Sequence, residues 1–304
     1  MPVDNGLDFH EKCSKEFFRT TTPPSLEYSL DQMGELAKNV LERSIAVPGV
    51  QPKLSLSLVS EAIENSDPRL TIVGALDGQY ILKPPSDKYP EMPQNEHVTM
   101  RIAEAFGIRV VPSSLIRLAS GELSYITKRI DQKETGEKIH MLDMFQISEA
   151  VDKYKGSMEK IGKALENYSG NTLLDKTFYL DLVIFSFLSG NNDMHLKNFS
   201  MIESSYGWVL SPAYDLVNVS IVIPDDKEEI ALPLVGKKKK LKREDFEKLG
   251  EGMGLTPKQI KAAFNRMIKY KSDAMDLIDK SFLSSDMKTA YKEGLNRRYK
   301  QIGL

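Results

Sequence analysis

The sequence predicts an α+β protein of two lobes, a small sheet-rich lobe over residues 1–131 and a larger, mainly helical lobe over residues 132–304. Its length of 304 residues corresponds to about two domains at roughly 150 residues each. Strand-like patterns dominate residues 54–130, whereas helical patterns dominate after residue 142. This shift in pattern divides the chain into its two predicted lobes.

The composition argues against several classes of function, among them zinc binding and binding to nucleic acid or membranes. Lys and Arg total 41 against 43 Asp and Glu, a formal net charge of -2, so no global field attracts nucleic acid or anionic lipid. The single cysteine, Cys13, excludes an intramolecular disulfide, and with four scattered histidines it gives no zinc-binding spacing. The N-terminus lacks the apolar run of a Sec signal peptide, and the longest strongly apolar stretch, residues 182–188, is too short to span a bilayer. We expect a cytoplasmic protein without membrane or direct nucleic-acid binding, with export by a non-Sec route left open.

Capping and turn residues mark the elements of the first lobe. Ser29 and Gln32 have the spacing of a capping box at the start of a helix. Asp77-Gly78 predicts a hairpin between two strands, and Gly107 is a typical C-cap for the helix before it. The predicted elements are a helix over residues 30–41, a loop over 43–53, strands over 54–58, 70–76 and 79–83, a helix over 95–106, and strands over 109–118 and 122–130 that meet at Ser120-Gly121.

In the second lobe a buried helix leads into a polar loop. Residues 177–188 are predominantly apolar, and Gly190 ends that helix. The segment Thr256-Pro257-Lys258-Gln259 is a capping box with Pro at the first helical position, which opens a helix toward residue 270. The other predicted elements are a short strand over residues 206–210, an exposed turn at Lys237–Lys240, for which nucleic-acid binding is the alternative, and a terminal helix over 287–301.

The segment S-G-N-N-D-M-H-L-K-N-F, residues 189–199, carries the chemistry. Asp193 and Asn198 have the D-x-x-x-x-N spacing of protein kinases, in which the Asp accepts the substrate hydroxyl proton and the Asn holds magnesium. Asp215 follows a short predicted strand, where kinases place their second magnesium ligand. An amide and a carboxylate are the hard oxygen donors that Mg²⁺ takes beside phosphates. These residues predict a phosphoryl-transfer site with Asp193 as catalytic base.

Two upstream residues fit the same chemistry. Lys83 ends the third predicted strand, the position of the kinase lysine that binds the nucleotide phosphates. Glu96 begins the following helix, where it can orient that lysine through an ion pair. The five residues occur in the order found in kinases, and this order on matching elements favours a kinase more than any one residue does.

Each of these residues also has a simpler interpretation. Asp193 fits turn chemistry in an Asn-rich loop. Lys83 fits a solvated lysine at a strand end, and Glu96 fits a charge favoured by the helix dipole. His195, inside the same loop, is a structural residue in most proteins with such a loop.

Taken together, the segments resemble the HipA family of bacterial serine/threonine kinases. The matching segments are G-V-Q-P-K at 49–53, Y-I-L-K-P at 80–84, N-E-H-V-T-M-R-I-A-E-A-F-G-I at 95–108, T-K-R-I-D at 127–131, L-D-M-F-Q at 142–146, G-N-N-D-M-H-L-K-N-F at 190–199 and P-A-Y-D-L at 212–216. They occur in order over about residues 44–220. Family members of full length carry an additional N-terminal subdomain, for which we expect no room here. The chain is therefore most similar to the short HipT type, the toxin of three-gene toxin–antitoxin systems.

The resemblance implies a bilobal protein-kinase-like fold, with ATP and Mg²⁺ as cofactors. It makes Asp193 the catalytic base and Asn198 and Asp215 the metal ligands, while Glu96 orients Lys83. The residues implied to bind ATP are Val47, Pro48, Gly49, Val50, Gln51, Pro52 and Lys53 in a phosphate-covering loop, Lys128, Arg129 and Ile130 in the hinge that reads adenine, and Lys83, His195, Asn198 and Asp215. Two features depart from related kinases: a G-x-G-x-x-G loop is absent, as in the family, and Lys128 and Ile130 replace the family's hinge acid and aromatic.

The resemblance also implies a substrate and partners. HipA-like toxins phosphorylate a serine of an aminoacyl-tRNA synthetase and so block translation. The HipT type implies tryptophanyl-tRNA synthetase ahead of the glutamyl enzyme. The implied partners are a small HipS-like antitoxin and a DNA-binding HipB-like antitoxin. Autophosphorylation is implied at Ser44, because the Ser-Ile-Ser pattern of HipT-like proteins reads Ser44-Ile45-Ala46 here.

Two other functions stay open. A small-molecule phosphotransferase of kinase-like fold has a similar loop, typically with H-x-D, and Asn191 takes the place of that histidine here. A pseudokinase that serves only as a binding module does not require Lys83, Asp193, Asn198 and Asp215 together.

Overall fold

The computed structural model describes residues 8–33, 35–36, 53–59, 68–73, 78–133 and 135–304. Contacts divide the chain into two units. Unit 1 comprises Met1–His97 and Val111–Gly136, and unit 2 comprises Val98–Val110 and Glu137–Leu304. The lobe bounds at residues 131 and 132 stay a prediction.

Unit 1 holds the sheet that the sequence predicts. Its elements are α1 (Glu11–Phe18), β1 (Leu54–Val59), β2 (Arg69–Ile72), β3 (Tyr80–Lys83), β4 (Ser113–Arg117) and β5 (Leu123–Lys128), together with the first residues of α2 (Met92–Ala105), which continues into unit 2. Residues 30–33 and 35–36 are also helical. The predicted capping box is present, since the Ser29 N–H donates to the Gln32 side chain at 2.8 Å. The rest of that predicted helix, to residue 41, lies outside the described residues.

The five strands form one antiparallel sheet in the order β2-β1-β3-β5-β4. The predicted hairpin at Ser120-Gly121 is confirmed, because β4 and β5 are neighbours. The hairpin predicted at Asp77-Gly78 is wrong, because β1 lies between β2 and β3. Gly78 instead approaches β1: its N–H donates to the Ser55 hydroxyl at 3.1 Å, and a Cβ there would lie 2.7 Å from the Leu56 nitrogen.

An aromatic cluster covers one face of this sheet. Leu54 and Leu56, which alternate along β1, are buried in the same cluster as Phe17 and Phe18 of α1. The rings of Phe17 and Phe18 each lie 5.7 Å from the ring of Tyr80 in β3. Each such buried side chain contributes about 1.5–3 kcal/mol, so α1 is an integral part of unit 1. Cys13 of α1 is exposed.

Unit 2 is mainly helical, as predicted. Besides the later residues of α2, its elements are β6 (Met141–Asp143), α3 (Met144–Ile147), α4 (Met158–Tyr168), α5 (Thr172–Ser189), β7 (Ser200–Ser204), β8 (Gly207–Leu210), α6 (Arg243–Gly252), α7 (Pro257–Lys269), α8 (Lys271–Asp279) and α9 (Ser285–Gln301). Helix α5 is its centre, since every residue from Tyr179 to Ser189 is buried. The predicted capping box at Thr256 is confirmed, because its side chain accepts from the Gln259 N–H.

A three-stranded antiparallel sheet, in the order β6-β7-β8, completes unit 2. Asp175 of α5 fixes its position, because this buried carboxylate accepts from the Leu210 N–H at 2.7 Å and from Arg109 at 3.2 Å. Strand β8 also carries Trp208, whose carbonyl accepts from the Gly170 N–H at 2.8 Å. The sheet places β7 immediately after the polar segment that the sequence singles out.

The lysine run forms the predicted turn. Lys237 bridges back to Leu234 and pairs with Asp245 at 2.8 Å, while Lys238 pairs with Glu228 at 3.1 Å. These acidic partners offset the positive charge that the nucleic-acid interpretation requires. Among the described helices of both units, none is long and apolar enough to cross a membrane.

Candidate active site

Unit 1 contributes a buried ion pair. Lys83, the last residue of β3, and Glu96 of α2 lie 2.6 Å apart, Nζ to Oε1, and their side chains are only 5% and 3% exposed. The ring of Tyr125, opposite Lys83 on β5, lies 5.4 Å from the same ammonium. Burying two charges removes their favourable hydration, and the attraction between them offsets this loss of free energy only narrowly. The pair is therefore better explained by the need to hold an ammonium in a fixed place than by stability, and the interpretation of Lys83 as a solvated lysine is wrong.

The segment implied as the hinge follows β5. The backbone N–H of Lys128 donates to the Pro112 carbonyl and that of Arg129 to the Gln79 carbonyl, both at 2.9 Å. The Lys128 ammonium donates to the Glu16 carbonyl at 3.2 Å, and burial, with a contribution from nearby Arg19, lowers the pKa of Lys128. Both backbone donors are thus already used within unit 1.

The phosphate-covering loop is described only at its end. Lys53 is exposed and directly precedes β1. The residues Val47 to Pro52, and Ser44 before them, lie outside the described residues.

In unit 2, the C-terminal end of α5 sets the direction in which the polar segment, residues 189–199, leaves the helix. Gly190 has φ of +78°, a left-handed conformation that favours glycine, and the next N–H, of Asn191, donates back to the Ser186 carbonyl at 2.8 Å. A Cβ on Gly190 would lie 2.7 Å from Nη1 of Arg298. Burial lowers the pKa of Arg298 to about 10. Both the conformation and the crowding require glycine where the helix turns into the loop.

Within the loop, the backbone of Asp193 brings the predicted residues together. Its carbonyl accepts from the His195 N–H at 2.8 Å and from the Asn198 side-chain nitrogen at 2.9 Å. A single 3-10 turn, Leu196–Asn198, closes this arrangement. Because the Asn198 amide nitrogen is held by the carbonyl of Asp193, its amide oxygen is the group left to act as a ligand.

Both predicted carboxylates, Asp193 and Asp215, act electrostatically on His195. Burial lowers the pKa of its imidazole, while the Asp193 carboxylate raises it, Lys153 lowers it and Asp215 raises it. Both acids therefore act on the same ring. Its Nδ1 is buried without a hydrogen-bond partner among the described residues.

Asp215 adopts an unusual backbone conformation. Its φ of +56° lies in the left-handed region, which costs a residue other than glycine of order 1–3 kcal/mol. The preceding Tyr214 is anchored by its hydroxyl, which contacts the Ser200 hydroxyl at 2.5 Å and the Lys197 carbonyl at 2.9 Å. Such strain, held by a neighbour, is typical of a functional position.

Sequence reasoning missed one residue of this site. The hydroxyl of Tyr154, in the loop between α3 and α4, donates to Oδ1 of Asp193 at 2.8 Å. Tyr154 lies 39 residues before Asp193, and no capping, turn or spacing pattern in the sequence indicates the contact.

The donor set fits a magnesium ion carried by a nucleotide. Asn198 offers an amide oxygen and Asp215 a carboxylate, both hard oxygen donors. No group of three or more His, Cys, Asp or Glu residues in the described part of the chain could hold a metal by itself. This agrees with Mg²⁺ binding, which usually uses one or two carboxylates and substrate phosphates.

A family model, curated relatives and solved structures all indicate similarity to HipA-like proteins. The family described as HipA-like C-terminal domain matches residues 45–275. A Haemophilus influenzae protein named "Putative kinase" is 27% identical over 80% of this chain and 77% of its own length. The "Serine/threonine-protein kinase toxin HipA" of Shewanella oneidensis is 26% identical over 62% of this chain.

The solved structure of Shewanella oneidensis HipA, in complex with HipB and operator DNA, matches with a TM-score of 0.69 at 22% identity. The match covers 84% of this chain and 65% of that chain. At this identity the likeness establishes the fold, and the predicted bilobal, protein-kinase-like α+β fold is confirmed. The chain spans only 46% of the length of the Shewanella toxin that it matches in sequence.

Proposed function

The chain belongs to the HipA-like C-terminal domain family, and from this premise we propose that it is an ATP-dependent serine/threonine protein kinase. The buried Lys83–Glu96 ion pair of 2.6 Å carries the proposal. Protein kinases hold the ammonium that binds the nucleotide phosphates by such a pair, between a strand lysine and a helix glutamate. A gain in folding stability does not explain why Lys83 and Glu96 are buried, because a buried ion pair contributes little net stability.

The proposed reaction transfers the γ-phosphoryl group of ATP to a serine or threonine hydroxyl. The hydroxyl oxygen forms the new bond to phosphorus as the bond to the ADP oxygen breaks, and Asp193 accepts the hydroxyl proton. Asn198 and Asp215 would hold Mg²⁺, which supplies neutralisation of the phosphate charge. Asp193 is suited to its role because it is only partly buried, in a loop fixed by its own carbonyl.

The proposed nucleotide contacts are supported by the family resemblance and by the hydrogen bonds of the segment after β5. We propose that Lys83, Lys53 and the segment Val47–Pro52 bind the phosphates of ATP, and that His195 also binds ATP. Because the N–H groups of Lys128 and Arg129 already donate to carbonyls, adenine recognition in the hinge falls to the N–H of Ile130 and to carbonyl oxygens.

We propose as substrate a serine of an aminoacyl-tRNA synthetase, the tryptophanyl enzyme ahead of the glutamyl enzyme. The kinase would act as the toxin of a HipBST- or HipBA-like system, restrained by HipS-like and HipB-like antitoxins, and would autophosphorylate on Ser44. Support comes from the family and from the relative named HipA, a serine/threonine-protein kinase toxin.

Transfer of label from γ-labelled ATP tests this function. The purified chain is incubated with both synthetases, with a set of small-molecule alcohols and alone, and an Asp193→Asn variant serves as control. We expect Mg²⁺-dependent labelling of a synthetase serine and of the chain itself. Labelling of small molecules only would indicate the phosphotransferase, and nucleotide binding without any transfer would indicate a pseudokinase.

A further inference from the structure

We propose that Tyr154 is a positioning residue that orients the carboxylate of Asp193. This inference rests on the proposed function, in which Asp193 accepts the substrate proton. The hydroxyl of Tyr154 donates to Oδ1 of Asp193 at 2.8 Å. With one oxygen engaged, the carboxylate cannot rotate freely, and Oδ2 is the oxygen left to face a substrate hydroxyl.

The loop that carries Tyr154 is docked on the catalytic loop. The Leu196 N–H donates to the Lys153 carbonyl at 3.1 Å, which joins the two loops through their backbones. Gly156 packs against the same leucine so closely that a Cβ there would lie 2.9 Å from its side chain. The hydroxyl is therefore placed by contacts other than its own hydrogen bond.

The Tyr154 side chain is also held directly. The rings of Tyr154 and His195 are in an edge-to-face arrangement, with their centres 5.2 Å apart and an interplanar angle of 78°. The Lys153 ammonium lies 4.9 Å from the centre of the ring, and the Tyr154 N–H donates to the Asp152 carboxylate at 2.9 Å. Such a pre-organised donor can select one carboxylate orientation without ordering cost at the moment of reaction.

Tyr154 remains a donor at neutral pH. Burial raises the pKa of its hydroxyl, and the hydrogen bond to Asp193 and the charges of Asp193 and Asp152 raise it further. A neutral phenol can hold the carboxylate but cannot replace it as proton acceptor. Removing the hydroxyl should therefore slow catalysis without abolishing it.

The first test compares Tyr154→Phe with Tyr206→Phe, which removes the hydroxyl of an exposed tyrosine elsewhere in unit 2. For Tyr154→Phe we expect kcat to fall about tenfold, the value of one hydrogen bond to a charged group. KM for ATP should stay unchanged, a split that general damage to the fold would not produce. Tyr206→Phe should match the wild type. An unchanged kcat overturns the proposal, and so does an increased kcat, which would show that the hydroxyl blocks the substrate position.

The second test does not depend on activity. A double-mutant cycle of Tyr154→Phe and Asp193→Ala, followed by urea unfolding, should show coupling of at least about threefold in the unfolding equilibrium constant. The cycle with Tyr206→Phe should show none, and absence of coupling at Tyr154 overturns the contact. If the wild-type chain transfers no phosphate, the proposed function fails, whereas this cycle still decides whether Tyr154 holds Asp193.

Discussion

Two carboxylates of the molecule, Glu96 in unit 1 and Asp193 in unit 2, have opposite surroundings. Glu96 is buried and bonded to a full positive charge, the ammonium of Lys83. Asp193 is only partly buried, and its side chain accepts from a neutral phenol. A carboxylate that holds a cation in place is most effective when it is buried and paired with that cation. A carboxylate that accepts a proton needs an oxygen that can reach the substrate. The surroundings of the two carboxylates therefore fit the roles that we propose for them, Glu96 holding Lys83 and Asp193 accepting a proton.

The strongest test of this contrast removes the reacting carboxylate. We expect Asp193→Asn to retain ATP binding and the fold but to lose transfer by 10²–10⁴-fold or more, because the amide cannot accept the hydroxyl proton. Rates of label transfer measure the loss. Asp225→Asn, the same change at an exposed position in unit 2, is the matched control. Transfer at the wild-type rate by folded Asp193→Asn would remove Asp193 from the mechanism.

The second test removes the holding carboxylate. Glu96→Gln breaks the buried ion pair with the Lys83 ammonium, so we expect a loss of about 3–5 kcal/mol in the free energy of unfolding. Asp8→Asn makes the same change in the partly exposed pair with Arg117 and should cost less than about 1 kcal/mol. Urea unfolding compares the two. Similar losses for both variants would contradict a special role for burial at Glu96.

The third test concerns the other acid of unit 2. We expect Asp215→Asn to weaken magnesium-dependent ATP binding by about tenfold or more, since Asp215 supplies the only full negative charge among the two assigned metal ligands. Asp193→Asn should weaken it less. Calorimetry with ATP and Mg²⁺ measures both variants, and equal affinities would argue against Asp215 as a ligand.

The smallest expected effect comes from adding a negative charge to unit 1. Phosphorylation of Ser44 adds about -1.5 to -2 charges just before the assigned phosphate loop in sequence, where they repel the phosphates of ATP. We expect mass spectrometry to find one phosphate on Ser44 after incubation with ATP. Ser44→Asp should bind ATP about two- to fivefold more weakly than Ser44→Ala. The effect is small because water screens the repulsion between exposed charges. A chain that labels its target while Ser44 stays unmodified would refute this regulation.

Local signals predicted most of the fold. Gly107, Gly121 and Gly190 each have positive φ, as their predicted turns and caps require. The failure at Asp77-Gly78 has a physical cause: a glycine demanded by close packing on a neighbouring strand leaves the same sequence signature as a glycine demanded by a turn. The short strands β6 and β7 were not predicted, because three to five residues carry too little alternation to distinguish a strand from a loop.

The site was predictable to the extent that its parts lie on one segment. Asp193, His195 and Asn198 are joined by hydrogen bonds across at most five residues, so their spacing in the sequence already encodes their geometry. The Lys83–Glu96 contact required a resemblance to a known arrangement, since a strand and a helix must fold before they meet. The contact of Tyr154 depends on how two loops dock, which leaves no periodic or capping pattern to read.

The chain contains one tryptophan and one cysteine, and they belong to different units. Trp208 lies in β8 of unit 2, whereas Cys13 is exposed on α1 of unit 1. Intrinsic indole fluorescence therefore follows unit 2 alone. An acceptor dye attached to the single thiol would convert the unaltered sequence into an energy-transfer pair. Addition of ATP and Mg²⁺ to that labelled protein would report any change in the distance between the units in real time, without a designed mutation.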